Sequence, residues 1–406
     1  MAMAMDILGS HVLGLRYFES SRTRTTWRFN VRATLPFPHQ NAKHYKELQA
    51  AVDVVHRACN LCLNVKSSLL STHGKVLEKN DHTPVTVADF GVQALISLEL
   101  NKLFPSIPLV AEEDSAFVRS SNLADTVLNA VTATASSTCK PLTQDDVLDA
   151  IDRGGKDAFV FGPKPATYWV LDPIDGTRGF LKASRALYVV GLALVVEGEV
   201  VIGVMGCPNW EEDLSEISSA EIEEGWDSLR GSGAVMIAHK GCGTWMKSLN
   251  SQLKSPGVWT RCFVDGSDII HKARFCIPDS QTWESLPLSS LFSATNKADN
   301  VGSNQIHLLR TCCGSLCKYL MVASGRASIF IQQAKQKTII KAWDHAVGLI
   351  CIHEAGGKVT DWKGSEIDLA VDHVGRRFLF PSGGFLVTNG NLHNQILQII
   401  HQTSIV

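Results

Sequence analysis

Acidic side chains placed beside turns are the residues of this chain best suited to chemistry. In Trp169-Val170-Leu171-Asp172-Pro173-Ile174-Asp175-Gly176-Thr177 an apolar run feeds a tight turn that holds two carboxylates three positions apart. Pro173 fixes φ and Gly176 permits close backbone approach, so Asp172, Asp175 and the Ile174 carbonyl can converge on one point. Hard cations such as Mg2+ need that convergence of oxygens. The ordinary alternative is a strand-end turn capped by Asp, which an isolated pair of this kind would most often be.

Further acidic segments extend the pattern. Val110-Ala111-Glu112-Glu113-Asp114 follows a short apolar run and would by itself be a solvated run of charge. Thr83-Pro84-Val85-Thr86-Val87-Ala88-Asp89 places Asp89 at the start of a helix running from Phe90, where an N-cap role is the ordinary reading. Trp343-Asp344-His345-Ala346 opens a second helix that closes at Glu354-Ala355-Gly356-Gly357, and Asp344 could simply cap it. These bland readings would all have to coincide in one chain.

The elements that must position these acids alternate between helix and strand. Tyr45 to Leu70 carries apolar residues at Leu48, Val52, Val55, Ala58, Cys59 and Cys62, the spacing of an amphipathic helix. Phe90 to Leu103 repeats it and is stopped by Pro105. Tyr168 to Leu171 is a short strand, and Tyr188 to Val196 with Val200 to Met205 reads as a hairpin. Another strand pair is expected at Gly233 to Ile237 and Gly243 to Met246. After Lys254 strands at Arg261 to Val264, Gln305 to Leu309, Ser328 to Ile331 and Phe385 to Val387 are separated by helices at Ser315 to Ala323 and Asp344 to Glu354. Ser120 to Thr143, rich in Ala, Ser and Thr, reads as a surface insertion without chemistry.

Composition narrows the class. With 38 Lys+Arg against 40 Asp+Glu the formal charge is −2, which argues against a nucleic-acid binder working by broad electrostatics. No apolar run approaches the ~20 residues that span a bilayer. Eleven scattered cysteines, an odd number without regular spacing, indicate a reducing compartment; Cys59 and Cys62 form a C-x-x-C on a helix and are expected to pack in the core, with redox sensing as the alternative. Residues 1–43 hold Arg16, Arg22, Arg24, Arg28, Arg32 and Lys43 against only Asp6 and Glu19, with a Ser/Thr cluster. That is the profile of an organellar transit peptide, mitochondrial ahead of plastid, the alternative being a disordered cytosolic tail.

Together, T-P-V-T-V-A-D (83–89), A-E-E-D (111–114), W-V-L-D-P-I-D-G-T-R-G-F (169–180) and W-D-H-A-V-G…E-A-G-G (343–357) resemble the Mg2+-dependent, lithium-sensitive phosphatases of the inositol monophosphatase superfamily, in order and spacing along nearly the whole chain after residue 44. Pro84, the long insertion before Trp169, the Gly206-Cys207-Pro208-Asn209 segment, His345, and Gly314-Ser315-Leu316-Cys317-Lys318-Tyr319 resemble the 3′(2′),5′-bisphosphate nucleotidase branch. The fold the resemblance implies is a mixed α+β and α/β one: a two-domain layered α-β-α-β-α sandwich, with an amino-terminal domain over 44–255, a carboxy-terminal domain over 256–406, and the site between them.

The resemblance also implies roles. Glu112, Asp172, Asp175, Asp344 and the Ile174 carbonyl would hold two or three Mg2+ ions, with Asp89 beside them. Asp89 and Thr177 would orient and deprotonate the attacking water. The Gly176 and Thr177 amides would receive phosphate oxygens, with Ser315, Lys318 and His345 on the substrate side. A phosphate monoester dianion repels hydroxide, so its hydrolysis needs neutralised oxygens, an activated water and a stabilised leaving group, all of which such a site supplies.

The implied reaction releases phosphate and AMP from 3′-phosphoadenosine 5′-phosphate, and extends to 3′-phosphoadenosine 5′-phosphosulfate, in sulfur metabolism. The implied partner is a small phosphorylated nucleotide, with neither nucleic acid nor membrane, and the chain is expected as a monomer or homodimer. Gln332 stands where this branch has an Arg that helps hold the nucleotide, and Gly314 where an acidic residue is common. Gln cannot make the bidentate charged contact of Arg, which keeps an inositol phosphate or another small monoester as the alternative substrate. A non-catalytic nucleotide sensor is a further alternative, opposed by the presence of every expected metal-binding and base position.

Overall fold

The run Val189–Val196 is apolar at every position but Gly191, and a strand of that kind has no face to leave to water. A sheet built around it needs a helical layer on each side. The structure, a computed structural model, describes residues 35–72, 77–78, 84–135, 140–159, 167–182, 186–211, 232–249, 257–295, 304–309, 311, 314–334, 339–369 and 377–403. Residues 79–83, Lys335, Lys337, Cys139, Cys312, Cys313 and the segment before Leu35 lie outside them.

Helix α1 (Tyr45–Thr72) precedes the short strands β1 (Leu77–Glu78) and β2 (Pro84–Val85), helix α2 (Val87–Leu103) and strand β3 (Leu109–Ala111). Helices α3 (Ala116–Ser120), α4 (Ala124–Thr132) and α5 (Gln144–Gly154) come next. Strand β4 (Tyr168–Asp175) runs into α6 (Thr177–Leu181), followed by β5 (Val189–Val196), β6 (Glu199–Cys207), β7 (Ala234–His239), β8 (Gly243–Ser248) and β9 (Thr260–Arg261). Then come β10 (Arg274–Cys276), β11 (Ser293–Thr295), β12 (Gln305–Leu308), α7 (Ser315–Ala323), β13 (Ile329–Gln333), β14 (Ile340–Lys341), α8 (Ala346–Glu354), β15 (Lys358–Asp361), β16 (Phe378–Leu379), β17 (Gly384–Thr388) and α9 (His393–Thr403).

Strands β3 to β9 make a seven-stranded sheet in chain order, with β3 and β4 parallel and the other pairs antiparallel. A six-stranded sheet has the order β11-β12-β10-β13-β17-β15. Side-chain alternation assigns each face. Val190, Leu192 and Leu194 meet α1 and α2, while Val189, Ala193 and Val195 belong to the core that contains Leu316 of α7 and Val347 of α8. On β13, Phe330 faces that same central core, and Ile329 and Ile331 face α9 through Ile396 and Ile400. The layers are therefore α1/α2, the seven-stranded sheet, α7/α8, the six-stranded sheet and α9, the sandwich expected from the sequence. Helix α8 is buried from Ala346 through Ile352 because a sheet covers it on each side.

Several local expectations change. Within the surface insertion expected from Ser120 to Thr143, α4 packs inward: its Val127 and Val131 are fully buried with Val147 and Ile151 of α5 against Phe90 and Ala94 of α2. Its helical apolar spacing was masked by Ala, Ser and Thr. The strand expected at Arg261 to Val264 ends at Arg261, because the Val264 amide donates to Ala355 O (3.1 Å) instead of to a strand. Leu35, Phe37 and Ala42 pack into the core beside α1, so the packed chain reaches back past residue 43. Cys59 and Cys62 are buried thiols, as expected for core packing.

Helices α7 and α8 touch where Gly348 faces the Tyr319 ring; a Cβ there would lie 2.3 Å from Cγ of the ring. Gly348→Ala should therefore destabilise the chain by about 1–3 kcal/mol, the usual penalty of overpacking. Chemical denaturation checks this, and an unchanged midpoint would contradict the close packing of the central layer.

Candidate active site

Residues three apart on a regular strand point to opposite faces, which would separate Asp172 from Asp175. Strand β4 avoids this with a register shift: Asp172 pairs with Gly191 and Asp175 with Val189, so three steps on β4 match two on β5. The extra residue is a bulge at Pro173-Ile174, where the missing proline N–H breaks no ladder bond. Both carboxylates then face the α7/α8 layer. Asp344, two residues ahead of α8, completes the group, and oxygens of Asp172, Asp175 and Asp344 all lie within 4.8 Å of one another.

Glu112 directly follows β3, whose pairing Ala111↔Leu171 sets it alongside Asp172. Its charge is felt by both Asp172 and Asp344. Burial, and then repulsion from Glu112, Asp175 and Asp344, pushes the Asp172 carboxyl well above the ordinary carboxylate range. Asp344 is raised by burial and then by Asp175 and Glu112. Asp175 is raised by burial, partly offset by the Lys318 charge and by backbone N–H groups of α7.

Those N–H groups give Asp175 a further task. Its Oδ1 accepts from Ser315 N (3.0 Å) and its Oδ2 from Leu316 N (2.8 Å), so it caps α7 in place of Gly314, which has no side chain to do so. A Cβ at Gly314 would fall 1.9 Å from Asp175 Oδ2, so the approach of Asp175 seen here depends on glycine at that position. Lys318 is buried and donates from Nζ to Gly314 O (3.0 Å), beneath the same turn. Ser315 lies at its edge, half-buried.

Asp89 is held on another wall. The N-cap of α2 is Thr86, and Asp89 is the third helical residue of a capping box. Its Oδ2 accepts from Thr86 N (2.8 Å) and Thr86 Oγ1 (2.7 Å). Oδ1 faces Thr177, whose Oγ1 lies 3.2 Å from it and 3.1 Å from Ile174 O. Gly176 adopts φ +87°, a left-handed conformation that swings Thr177 into this place at the start of α6. Asp89, Thr177, Gly176, the Ile174 carbonyl, Asp172 and Asp175 thus meet through strand β4 and its turn.

His345 is placed differently from the substrate position expected for it. It has no exposed surface, stacks on Phe385 (4.0 Å between centroids, 6°), and its Nδ1 is 3.0 Å from the Tyr319 hydroxyl. Burial lowers its pKa to about 3, so the ring is neutral and packs behind Asp344. Asp344 does not cap α8 either, since His345 occupies that position.

Residues with no role expected from sequence support the acids. Gln93, fully buried on α2, donates from Nε2 to Glu113 O (2.6 Å) and Ile151 O (2.8 Å) and accepts from Glu113 N (2.9 Å), which fixes the loop carrying Glu112. Asp152 accepts from Ser115 N and Oγ at the far end of that loop. The Thr86-x-x-Asp89 pattern of a capping box was legible in the sequence; Gln93 left no local signal.

The donor set fits a hard divalent cation. Among the described residues Asp172 Oδ1 is buried without a hydrogen-bond partner, and a cation among the three crowded carboxyls would satisfy it and offset their mutual repulsion.

Comparison with known proteins follows the same lines. The inositol monophosphatase family model matches residues 44–404. An Arabidopsis thaliana protein named "Putative 3'(2'),5'-bisphosphate nucleotidase, mitochondrial" is 61% identical over 377 residues, covering 93% of this chain and 92% of that protein. An Arabidopsis thaliana 3′,5′-bisphosphate nucleotidase is 36% identical over 345 residues, covering 80% and 88%. Among solved structures, the extragenic suppressor protein suhB of Bartonella henselae matches with TM-score 0.53 and 17% identity, covering 87% of this chain and 98% of that one. The Thermotoga maritima IMPase matches with TM-score 0.51 and 19% identity, covering 88% and 98%. These structures share the fold.

Because the raised carboxyls bind protons that a cation must displace, stabilisation by a divalent cation should grow as pH rises through about 6, the value to which burial raises Asp175, and further as the more strongly raised Asp172 and Asp344 ionise. The sign follows from folded-state pKa values above the unfolded ones: without a cation these groups favour the folded state less as pH rises, and the cation removes that loss. Melting temperatures with Mg2+ and with EDTA check it, and a difference independent of pH would contradict the cluster.

Proposed function

Because the chain belongs to the inositol monophosphatase family, we propose that it is a Mg2+-dependent 3′(2′),5′-bisphosphate nucleotidase that hydrolyses the 3′-phosphate of 3′-phosphoadenosine 5′-phosphate to AMP and phosphate. The observation that carries the reading is the convergence of Asp172, Asp175 and Asp344 beside a Thr177–Asp89 contact. Identity of 61% to a relative of that name supports the choice of substrate. The sulfated analogue, 3′-phosphoadenosine 5′-phosphosulfate, offers the same 3′-phosphate.

Asp172, Asp175, Asp344, Glu112 and the Ile174 carbonyl would hold two or three ions, with Asp89 beside them. Bound Mg2+ supplies charge against the phosphate dianion and acidifies water. Asp89 would be the base: Thr86 pins one carboxylate oxygen, and the other accepts from the Thr177 hydroxyl, through which a proton of the attacking water would reach it. Thr177 Oγ1 orients that water from within reach of Asp89 Oδ1 and Ile174 O. The Gly176 and Thr177 amides receive phosphate oxygens at the start of α6. Lys318, through Asp175 and Gly314, offsets the negative charge of the site from below, and Ser315 lies toward the nucleotide.

An inositol phosphate is a second reading, favoured by Gln332. It carries no charge for a 5′-phosphate, and its Oε1 is buried without a hydrogen-bond partner among the described residues. The chain acts in an organelle, the mitochondrion, as a monomer or homodimer, with the Arg-rich segment as its import signal. No described helix is long and apolar enough to cross a membrane.

Phosphate release by the full chain with Mg2+ should be much faster from 3′-phosphoadenosine 5′-phosphate than from 3′-AMP or inositol 1-phosphate. Equal use of all three would turn the reading to the broader phosphatase, and release from none would favour the sensor. Asp89→Asn should lower kcat by about 10²–10⁴-fold, the usual share of a general base, with the melting temperature kept. A fluorescent reporter preceded by residues 1–43 should enter mitochondria; a cytosolic reporter would contradict the import signal.

A further inference from the structure

Arg377 lies between two acidic turns that come from distant parts of the chain. Its backbone carbonyl accepts from Ala342 N (2.9 Å), one step beyond the β14–β16 pairing of Lys341 with Phe378. That bond reaches toward Trp343 and Asp344. Its guanidinium carbon lies 5.6 Å from the centre of the Trp343 ring. On the other side, Nη2 donates to Ala111 O (3.2 Å), Gly154 O (3.0 Å) and Gly155 O.

Each partner has a place in the site. Ala111 ends β3 and directly precedes Glu112; Trp343 directly precedes Asp344. Gly154 and Gly155 end α5, at the negative end of its dipole, and the Gly155 carbonyl also accepts from Ala158 N (3.3 Å). That helix end abuts the acidic loop so closely that a Cβ on Gly155 would fall 2.3 Å from Glu113 O. Burial lowers the Arg377 pKa while Asp114 opposes the change, and the guanidinium stays charged. A guanidinium suits the place because its rigid fork meets the converging carbonyls, a geometry that a point-like ammonium does not match.

We propose that Arg377 is a positioning residue that holds Glu112 against Asp344 and thereby sets the affinity of the acidic cluster for its divalent cation. The inference rests on the metal-centre reading above. Glu112 repels Asp172 and Asp344, so the end of β3 needs a tie that opposes its drift from Asp344. Arg377 provides it by gripping the residue before each acid.

The test is Mn2+ binding to the chelator-stripped full chain, followed by electron paramagnetic resonance, together with kinetics in Mg2+. Arg377→Met should weaken Mn2+ binding by about tenfold or more, within the range for residues that orient metal ligands. The Mg2+ concentration for half-maximal activity should rise in parallel, while KM for the nucleotide at saturating Mg2+ stays within about twofold. Arg377→Lys, which keeps charge and donors but loses the planar fork, should fall between Met and wild type. A folded Arg377→Met chain that binds Mn2+ like wild type would overturn the inference, as would a raised KM with Mn2+ binding intact, which would make Arg377 a substrate contact. If the Met variant does not fold, the Lys variant decides, and wild-type Mn2+ affinity in it overturns the inference. A wild-type chain that binds no Mn2+ would instead sink the metal-centre reading and this inference with it.

Discussion

Repulsion among carboxylates held out of water is the constraint on which the rest of this structure depends. At an effective dielectric of about 20, two unit charges about 4 Å apart repel by about 4 kcal/mol, and Asp172, Asp175 and Asp344 are crowded together with Glu112 close by. A chain relieves such a cluster by protonating it, by spreading it apart or by supplying positive charge. Here the raised pKa values of Asp172 and Asp344 reflect the first response, and the surrounding scaffold prevents the second. The bulge in β4, the Gln93 brace on the Glu112 loop and the Thr86 grip on Asp89 each hold an acid where it would not otherwise stay.

Positive charge comes in part from backbone. Helices α2, α6, α7 and α8 all begin at the cluster, with Asp89, Thr177, Ser315 and Asp344 within their first turns or directly ahead of them. Helix N-termini present unpaired N–H groups and the positive end of the dipole, which favour carboxylates and a phosphate alike. Asp175 shows the coupling most directly, because it faces the acids while accepting two N–H bonds from α7. The same carboxylate therefore joins the first sheet to the central helical layer, and Gly314 is what lets it approach.

The layered architecture makes this convergence possible. Helices α7 and α8 lie between two sheets with apolar side chains on every side, so their starting points are set by packing rather than by solvent-facing loops. His345 belongs to that packing: stacked on Phe385 and bonded to Tyr319, it anchors the turn behind Asp344. The design separates its parts, with β3, β4 and the turn before α8 supplying the acidic cluster, α2 and α6 supplying the Asp89–Thr177 contact beside it, and the carboxy-terminal half bracing both.

Much of this was legible without coordinates. The apolar run ending in Asp172-Pro173-Ile174-Asp175-Gly176-Thr177, the acids at Glu112, Asp89 and Asp344, and the strand-to-helix alternation are local patterns, and local patterns follow from backbone sterics and side-chain periodicity in a few consecutive residues. They were enough for the layered fold and the family. The cap of α2 was misplaced by three positions because Thr86 and Asp89 both suit the role, and only the bond directions separate them. Sequence was silent where partners are far apart in the chain: Gln93 with Glu113 and Ile151, Asp175 with α7, His345 with Phe385, and Arg377 with Ala111 and Trp343. Those contacts depend on how layers stack and on which side chain fills a shared space. Packing of that kind is settled by the whole folded chain, since no stretch of neighbouring residues contains both partners.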